Sequence, residues 1–465
     1  MNRRNLDFAA AVVIVGLLAG VAGLATTVLL RSVEHLTYRY AFGSLLTGVT
    51  DSSPVRRAVG PMIGSSLAGL GWWILRRRAD VPPLAETIAR HDRIPRRSFI
   101  IDAALQVLLV GSGASLGREG APRQFAAALA ALGTGWLQRL SARDREILLA
   151  CAAGAGLGAV YAVPVGGALF AARIMLRTWH PRALGAALIS SSLAVAVGSA
   201  VTHDHPILDW PGPQLSYLLA AGVLLLAPVT LGVGLAFNRI MAMAQPVTLL
   251  RSWVVIPAIA AAGLMMGICS HGWPDLPGNG KSILTVSLDS GMTLASAAVI
   301  LALKPLLTAL FLRVGAVGGM LTPSLATGAA AGALVVLAVN SAAGTHISVP
   351  AVSLAAAAGV LAITQRSPIW AAVFVWELAH PPWWLFIVFL AAAASAHGLR
   401  LLTERRHAAA PAASVLRRST VRAARSGPSM PTCSNTSTRR SCVTISSRQS
   451  SITAGPNRSH EAQPN

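Results

Sequence analysis

The sequence predicts an all-α polytopic membrane protein, and three observations carry that prediction. The chain of 465 residues is 54% hydrophobic and only 12% charged, with a mean hydropathy of +0.60; a soluble fold needs far more charge to cover its surface. Uncharged runs such as Phe8–Leu30, Ile147–Ala172, Ala183–His203, Pro211–Asn238 and Pro381–Leu399 reach roughly the 20 residues that cross a bilayer. Between Arg313 and Arg366 lie 52 residues with no Lys, Arg, Asp or Glu at all. The net charge of +21 comes in part from the end of the chain, where residues 401–465 hold ten Arg and two Glu. Much of the rest sits in short Arg-rich loops, which read as topology signals rather than as a nucleic-acid surface.

Residues 6–33 read as one long helix, too long for the apolar part of a signal peptide, and Arg3-Arg4 before it predict a cytoplasmic N-terminus. A polar link, Asp51 to Arg57, leads to a second apolar stretch, Ala58 to Leu75. The segment Ala79 to Arg97 is too polar to span and is expected to hold a short half-helix, Leu84 to Ala89. A helix over Ile100–Val110 follows, then a basic loop at 138–145, a Gly/Ala-rich run broken at Pro164, and a span from Ala183 to Ala200. The second half is expected to hold spans over Gln214–Asn238 and Trp253–Ile268, a Gly/Pro loop from Trp273 to Lys281, and a short apolar piece, Met292–Leu303. Beyond these come a span flanked by Lys304 and Arg313, a run broken at Ser367-Pro368, and a last span from Trp383 to His397.

Residues 111–125 stand out. There Arg118-Glu119 sits between two apolar runs, where hydrocarbon-spanning chain is expected. Flanking glycines let the backbone bend, and Pro122 suits the first turn of a new helix. A helix that begins at about Arg118 to Pro122 aims its unpaired N–H groups and positive dipole end at Glu119, a natural anion site. A carboxylate at membrane depth costs about 2.5–3.5 kcal/mol on insertion scales, and a plain ion pair with Arg118 or Arg123 is the structural alternative.

The two halves repeat. Gly117-x4-Pro122 matches Gly318-x4-Pro323, each leading into an Ala/Gly helix, and Pro164 with Phe170 matches Pro368 with Phe374. The spacing from first proline to second is 42 residues in one half and 45 in the other. Corresponding helix breaks in two halves point to a binding site near the bilayer midplane. The organisation expected is a first repeat over 1–202, a loop over 203–213, a second repeat over 214–402, and a basic disordered tail over 403–465, where apolar periodicity is lost. Cys151 and Cys269 read as packing residues; the four cysteines have no metal-ligand spacing, and no metal or cofactor is expected.

On these residues the chain resembles the CLC family of chloride channels and chloride/proton antiporters. Gly117-Arg118-Glu119-Gly120-Ala121-Pro122 looks like the family's Gly-Lys/Arg-Glu-Gly-Pro motif with Ala121 inserted, and Gly319-Met320-Leu321-Thr322-Pro323 is similar to its Gly-x-Phe-x-Pro motif with Leu321 at the aromatic position. The lead-in Gly315-Ala-Val-Gly-Gly, Lys304 upstream, and Ala152 to Phe170 are similar as well. The resemblance covers about residues 6–400. It implies an inverted repeat of broken, tilted helices, a homodimer with one anion path per subunit, and a multi-pass protein of the plasma or inner membrane with both termini cytoplasmic. It implies transport of chloride or a similar monovalent anion, and of protons in an antiporter, gated by Glu119. Backbone N–H groups of Arg118, Glu119 and Gly120 would hold an outer anion, and those around Gly319, Met320 and Leu321 an inner one.

The chain departs from the family pattern in three places. The Gly-Ser-Gly-Ile-Pro motif is expected near Ala79-Asp80-Val81-Pro82-Pro83 without its serine. No pore tyrosine follows the last span within Ala396 to Arg405, and the internal proton-relaying glutamate would fall at Ala172-Arg173-Ile174-Met175. The rival reading is a membrane enzyme, such as a lipid phosphatase using Glu119 with Arg118 and Arg123 and a nucleophile among Ser112 and Ser115, though no His or Asp partner accompanies those serines. A non-transporting scaffold gives no reason for Glu119 at that depth. Elsewhere, Glu377 reads as structural, His180 as interfacial, the Trp pairs 72–73 and 383–384 as interfacial belts, and Lys304 as either an anion attractor or a helix-end anchor.

Overall fold

The computed structural model describes residues 3–202, 208, 210–211, 217–246 and 251–425. The chain divides into two units, Met1–Arg406 and His407–Asn465. The first half of the membrane unit holds α1 (Arg3–Tyr38), α2 (Leu45–Asp51), α3 (Pro54–Arg78), α4 (Leu84–Ala89), α5 (Arg96–Gly111), α6 (Gly120–Gly133), α7 (Ala142–Tyr161), α8 (Pro164–Leu169) and α9 (Pro181–Thr202). The second half holds α10 (Tyr217–Leu225), α11 (Ala227–Ala244), α12 (Val255–Gly272), α13 (Lys281–Leu288), α14 (Leu294–Arg313), α15 (Leu321–Ala343), α16 (Val349–Gln365) and α17 (Pro368–Ala379), and α18 (Trp383–Arg425) starts within this unit.

Eight helices among the described residues are long and apolar enough to cross a membrane. Others are not: α17, with 12 residues, is about 18 Å long against a hydrocarbon core of about 30 Å. Such short helices are tolerable at membrane depth only where protein surrounds their open ends. Here it does, since the alanines of the first half of α15, Ala326 to Ala333, and those of α16, Ala355 to Ala358 among them, are buried, and small side chains let helix backbones approach closely.

The helix ends follow local chemistry. Ser53 caps α3 with Pro54 at its first position, and capping boxes start α7 (Ser141 with Asp144) and α14 (Thr293 with Ser296). Both expected proline breaks are present and built alike. Ala162 (φ 54°) closes α7 in the left-handed region, non-helical Val163 follows, and Pro164 opens α8. Arg366 (φ 54°) closes α16, Ser367 is non-helical, and Pro368 opens α17. Each proline suits a first turn and forces the residue before it out of helix.

α1 begins at a face where Arg4 pairs with Asp144 at 2.8 Å and Arg182 reaches the same carboxylate at 3.0 Å. α3 runs back beside it, with Arg56 near its start donating to the Leu36 and Thr37 carbonyls at the end of α1. Arg76, Arg77 and Arg78 at the end of α3 therefore lie on the face where α1 begins, called the arginine face below.

Three expectations are corrected. The span over Gln214–Asn238 is two helices, α10 and α11, because Pro228 opens the second. The separate pieces around Lys304 are one helix, α14, since the Lys304 ammonium is satisfied by carbonyls and does not end it. In the second unit the backbone stays helical to Arg425, within the stretch expected to be an unstructured tail, where an Ala/Arg-rich sequence favours helix. Residues 426–465, and most of the 203–213 loop, lie outside the described residues.

Candidate anion site at two facing helix starts

The site is built where α6 and α15 begin. Gly117 and Gly319 form an antiparallel bridge, Gly117 N–H donating to Gly319 O (2.7 Å) and Gly319 N–H to Gly117 O (2.8 Å). It holds the loops of the two halves together, so the residues that follow each glycine, Arg118-Glu119 and Met320-Leu321, are brought side by side.

Glu119 is 1% exposed and occupies the position before the first turn of α6. Its side chain makes no capping bond to its own helix. Instead Oε1 accepts from the backbone N–H of Leu321 (2.5 Å) and of Thr322 (3.3 Å), and Oε2 from the Thr322 hydroxyl (2.9 Å) and the Tyr161 hydroxyl (3.4 Å). The expectation that the start of α6 receives this carboxylate is thus corrected: the start of α15 does. Unpaired N–H groups at a helix start attract negative charge from whichever segment can reach them, and the glycine bridge puts Glu119 within reach of α15.

The glycines are required by space. A Cβ at Gly117 would lie 2.2 Å from Glu119 Oε2, and one at Gly319 would lie 2.2 Å from Oε1. The carboxylate is clasped between two backbones that have no side chain to offer.

The arginines hold the frame and not the carboxylate. Arg118 donates to Val160 O (3.2 Å) and lies over the Tyr161 ring, its guanidinium carbon 5.0 Å from the centroid. Arg123 donates to the backbone carbonyl of Glu119 (2.7 Å) and covers Phe170. None of the ion pairs among the described residues includes Glu119, so the plain ion-pair reading of this residue is set aside. The enzyme reading finds no support either. The Ser112 hydroxyl donates to Leu108 O, and that of Ser115 bonds Thr308 and Lys304 O, so neither expected serine is bonded to Glu119.

The other expected residues take clear places. Leu321 is a donor to the carboxylate. Met320 borders a cavity of about 700 Å³ that also reaches Gly318, Arg76, Asp102, Gln124 and the Ala79–Pro83 segment. The Gly319 N–H is engaged by Gly117, which corrects its expected role as an anion donor. Lys304, fully buried, donates to Leu276 O (2.9 Å) and Gly278 O (2.7 Å), so it anchors the loop before α13. Glu377 accepts from Val165 N–H (2.9 Å) and Gly166 N–H (2.5 Å) at the start of α8. Arg173 lies over the Trp179 ring, and His180 is exposed.

Thr322 and Tyr161 escaped the sequence reading. Thr322 was legible as a hydroxyl in the first turn of α15. Tyr161 carried a fainter signal, a polar aromatic just before the Pro164 break; it places a phenol at the site from α7, whereas the resemblance led us to look for one after the last span.

The chain is similar to known proteins in family and in fold. The profile of the family described as voltage gated chloride channel matches residues 67–399. The chain is 30% identical over 340 residues to the voltage-gated ClC-type chloride channel ClcB of Escherichia coli O17:K52:H18 (strain UMN026 / ExPEC), covering 69% of this chain and 78% of that protein. ClcB of Escherichia coli strain K12 / DH10B is 30% identical over 343 residues with the same coverage. Among solved structures, a slow cyanobacterial Cl−/H+ antiporter matches with a TM-score of 0.70 at 19% identity, over 86% of this chain and 98% of that one. A CLC-type fluoride/proton antiporter matches with a TM-score of 0.59 at 18% identity, over 84% and 94%. Both likenesses show the fold, an inverted repeat of broken and tilted membrane helices. By profile and by relatives alike, the chain belongs to the voltage gated chloride channel family.

Proposed function

We propose that this protein moves monovalent anions, chloride foremost, across the membrane along a path that Glu119 closes. The observation that carries the reading is the seat of the Glu119 carboxylate. It rests on the N–H groups of Leu321 and Thr322, buried, and no ion pair among the described residues includes it. Donors that hold a carboxylate suit a travelling anion equally well, so the side chain and the anion compete for one seat, and protonation of Glu119 releases it to the anion. The named relatives, ClcB and the Cl−/H+ antiporter, support the same substrate class. The working unit is a homodimer with a separate path in each subunit. Arg3-Arg4 and the arginine face support a cytoplasmic N-terminus in a plasma or inner membrane, and the family resemblance implies a cytoplasmic C-terminus.

Anion flux from proteoliposomes tests the reading. Wild-type flux is expected to rise as pH falls, whereas Glu119→Gln and Glu119→Ala conduct independently of pH and move no protons. Unchanged pH dependence in both variants would overturn the assignment. The reversal potential under opposed chloride and pH gradients then separates passive conduction from proton-coupled exchange.

A further inference from the structure

The donors that hold Glu119 fall into two pairs, and each pair serves one oxygen. Oε1 takes the backbone N–H groups of Leu321 (2.5 Å) and Thr322 (3.3 Å). Oε2 takes the hydroxyls of Thr322 (2.9 Å) and Tyr161 (3.4 Å). The first pair is what any helix start offers an anion. The second is an addition made by two side chains, one from α15 and one from α7. Both residues are 2% exposed, so bulk water does not stand in for a missing partner. With no oxygen to serve, these hydroxyls have each other at 3.5 Å, the far limit of a hydrogen bond.

The space between the pairs is a slot. A Cβ at Gly117 would lie 2.5 Å from Glu119 Cδ, and one at Gly319 would lie 2.3 Å from it. The two backbones thus hem in the carboxyl carbon as well as its oxygens. The phenol is held in place beforehand: the Arg118 guanidinium lies over the Tyr161 ring, and Phe374 meets that ring edge-on with centroids 5.7 Å apart. Donors fixed in advance spend less on ordering when a ligand arrives.

A halide is one acceptor centre. Seated on the N–H pair it leaves the hydroxyls to each other, and seated on the hydroxyls it forfeits the helix start. A planar carboxylate spans both pairs at once, as Glu119 itself does. We propose that the Glu119 seat takes small planar carboxylates besides chloride and holds them more tightly, with Thr322 and Tyr161 as the residues that set this preference. Formate is the smallest of the class; it carries no chain beyond its carboxyl carbon and asks only for the slot that the end of Glu119 now fills. The inference rests on the anion-transport reading above and names a further cargo for the same path. Thr322, with the shorter bond, contributes more than Tyr161.

Calorimetric titration of the full-length protein carrying Glu119→Ala, at pH 7.5, tests the preference with sodium formate and sodium chloride as probes. Formate is expected to bind about tenfold more tightly than chloride, the worth of one hydrogen bond to a charged oxygen. Adding Thr322→Val should bring that ratio down to about twofold, adding Tyr161→Phe should halve it roughly, and Thr322→Ser should keep it. Valine matches threonine in shape, so the drop reads the lost hydroxyl and not the space that alanine opens. Passage is read in liposomes of the wild-type protein with formate on one side and chloride on the other. The reversal potential is expected at a value that requires formate current; neutral formic acid crossing the lipid carries no charge and does not enter it. Formate binding no tighter than chloride, a ratio untouched by Thr322→Val, or a reversal potential set by chloride alone would each overturn this inference and spare the transport reading. Should the valine variant fail to fold, the Glu119→Ala titration and the reversal potential decide. Absence of binding and current for both anions would overturn both readings.

Discussion

The starts of α6 and α15 are the same device put to opposite uses. Each follows a glycine loop, each carries a proline near its first turn, and the bridge between Gly117 and Gly319 sets them face to face. α6 brings the negative charge, with Glu119 at its head and Arg118 and Arg123 as braces. α15 is uncharged there and brings backbone N–H groups and a hydroxyl. The proline breaks diverge likewise: α17 carries Glu377 onto the start of α8, whereas the matching stretch after Pro164 carries Arg173 against an indole. The repeat supplies the architecture, and the places where its halves differ supply the chemistry.

That contrast can be broken at the receiving end. The largest effect is expected from Gly319→Ala, whose methyl group takes the space of Glu119 Oε1. With charge-assisted hydrogen bonds worth about 1.5–3 kcal/mol each, ejecting the carboxylate should raise anion flux at pH 7.5 about tenfold or more. Flux and thermal stability measured together separate an open gate from a collapsed loop. Thr322→Val keeps the shape and removes one bond to a charged oxygen; flux at fixed pH should rise by up to about tenfold. Tyr161→Phe sharpens the comparison, because its 3.4 Å bond is long. A change of about twofold is expected there, as weak bonds near the distance limit contribute little. An effect of Tyr161→Phe equal to that of Thr322→Val would show that α7, and not α15 alone, receives the charge.

Much of the fold was legible because its signals are local. The half-helix Leu84–Ala89 matches α4 in both ends, and the prolines at 164 and 368 mark breaks that the chain must make. Pro228 sits in an apolar run long enough to span, so length concealed the division into α10 and α11. Lys304 looked like a helix end because its partners, the carbonyls of Leu276 and Gly278, lie 28 and 26 residues away. At the site, a special role for Glu119 could be read from charge in an apolar setting. Its destination could not: Leu321 is 202 residues distant, and no periodicity encodes which of two helix starts a carboxylate will reach.

The backbone clasp between Gly117 and Gly319 also limits how such a carrier can work. Two hydrogen bonds at the centre oppose any sliding of the two loops past one another, whereas the turn of a single acidic side chain leaves both of them intact.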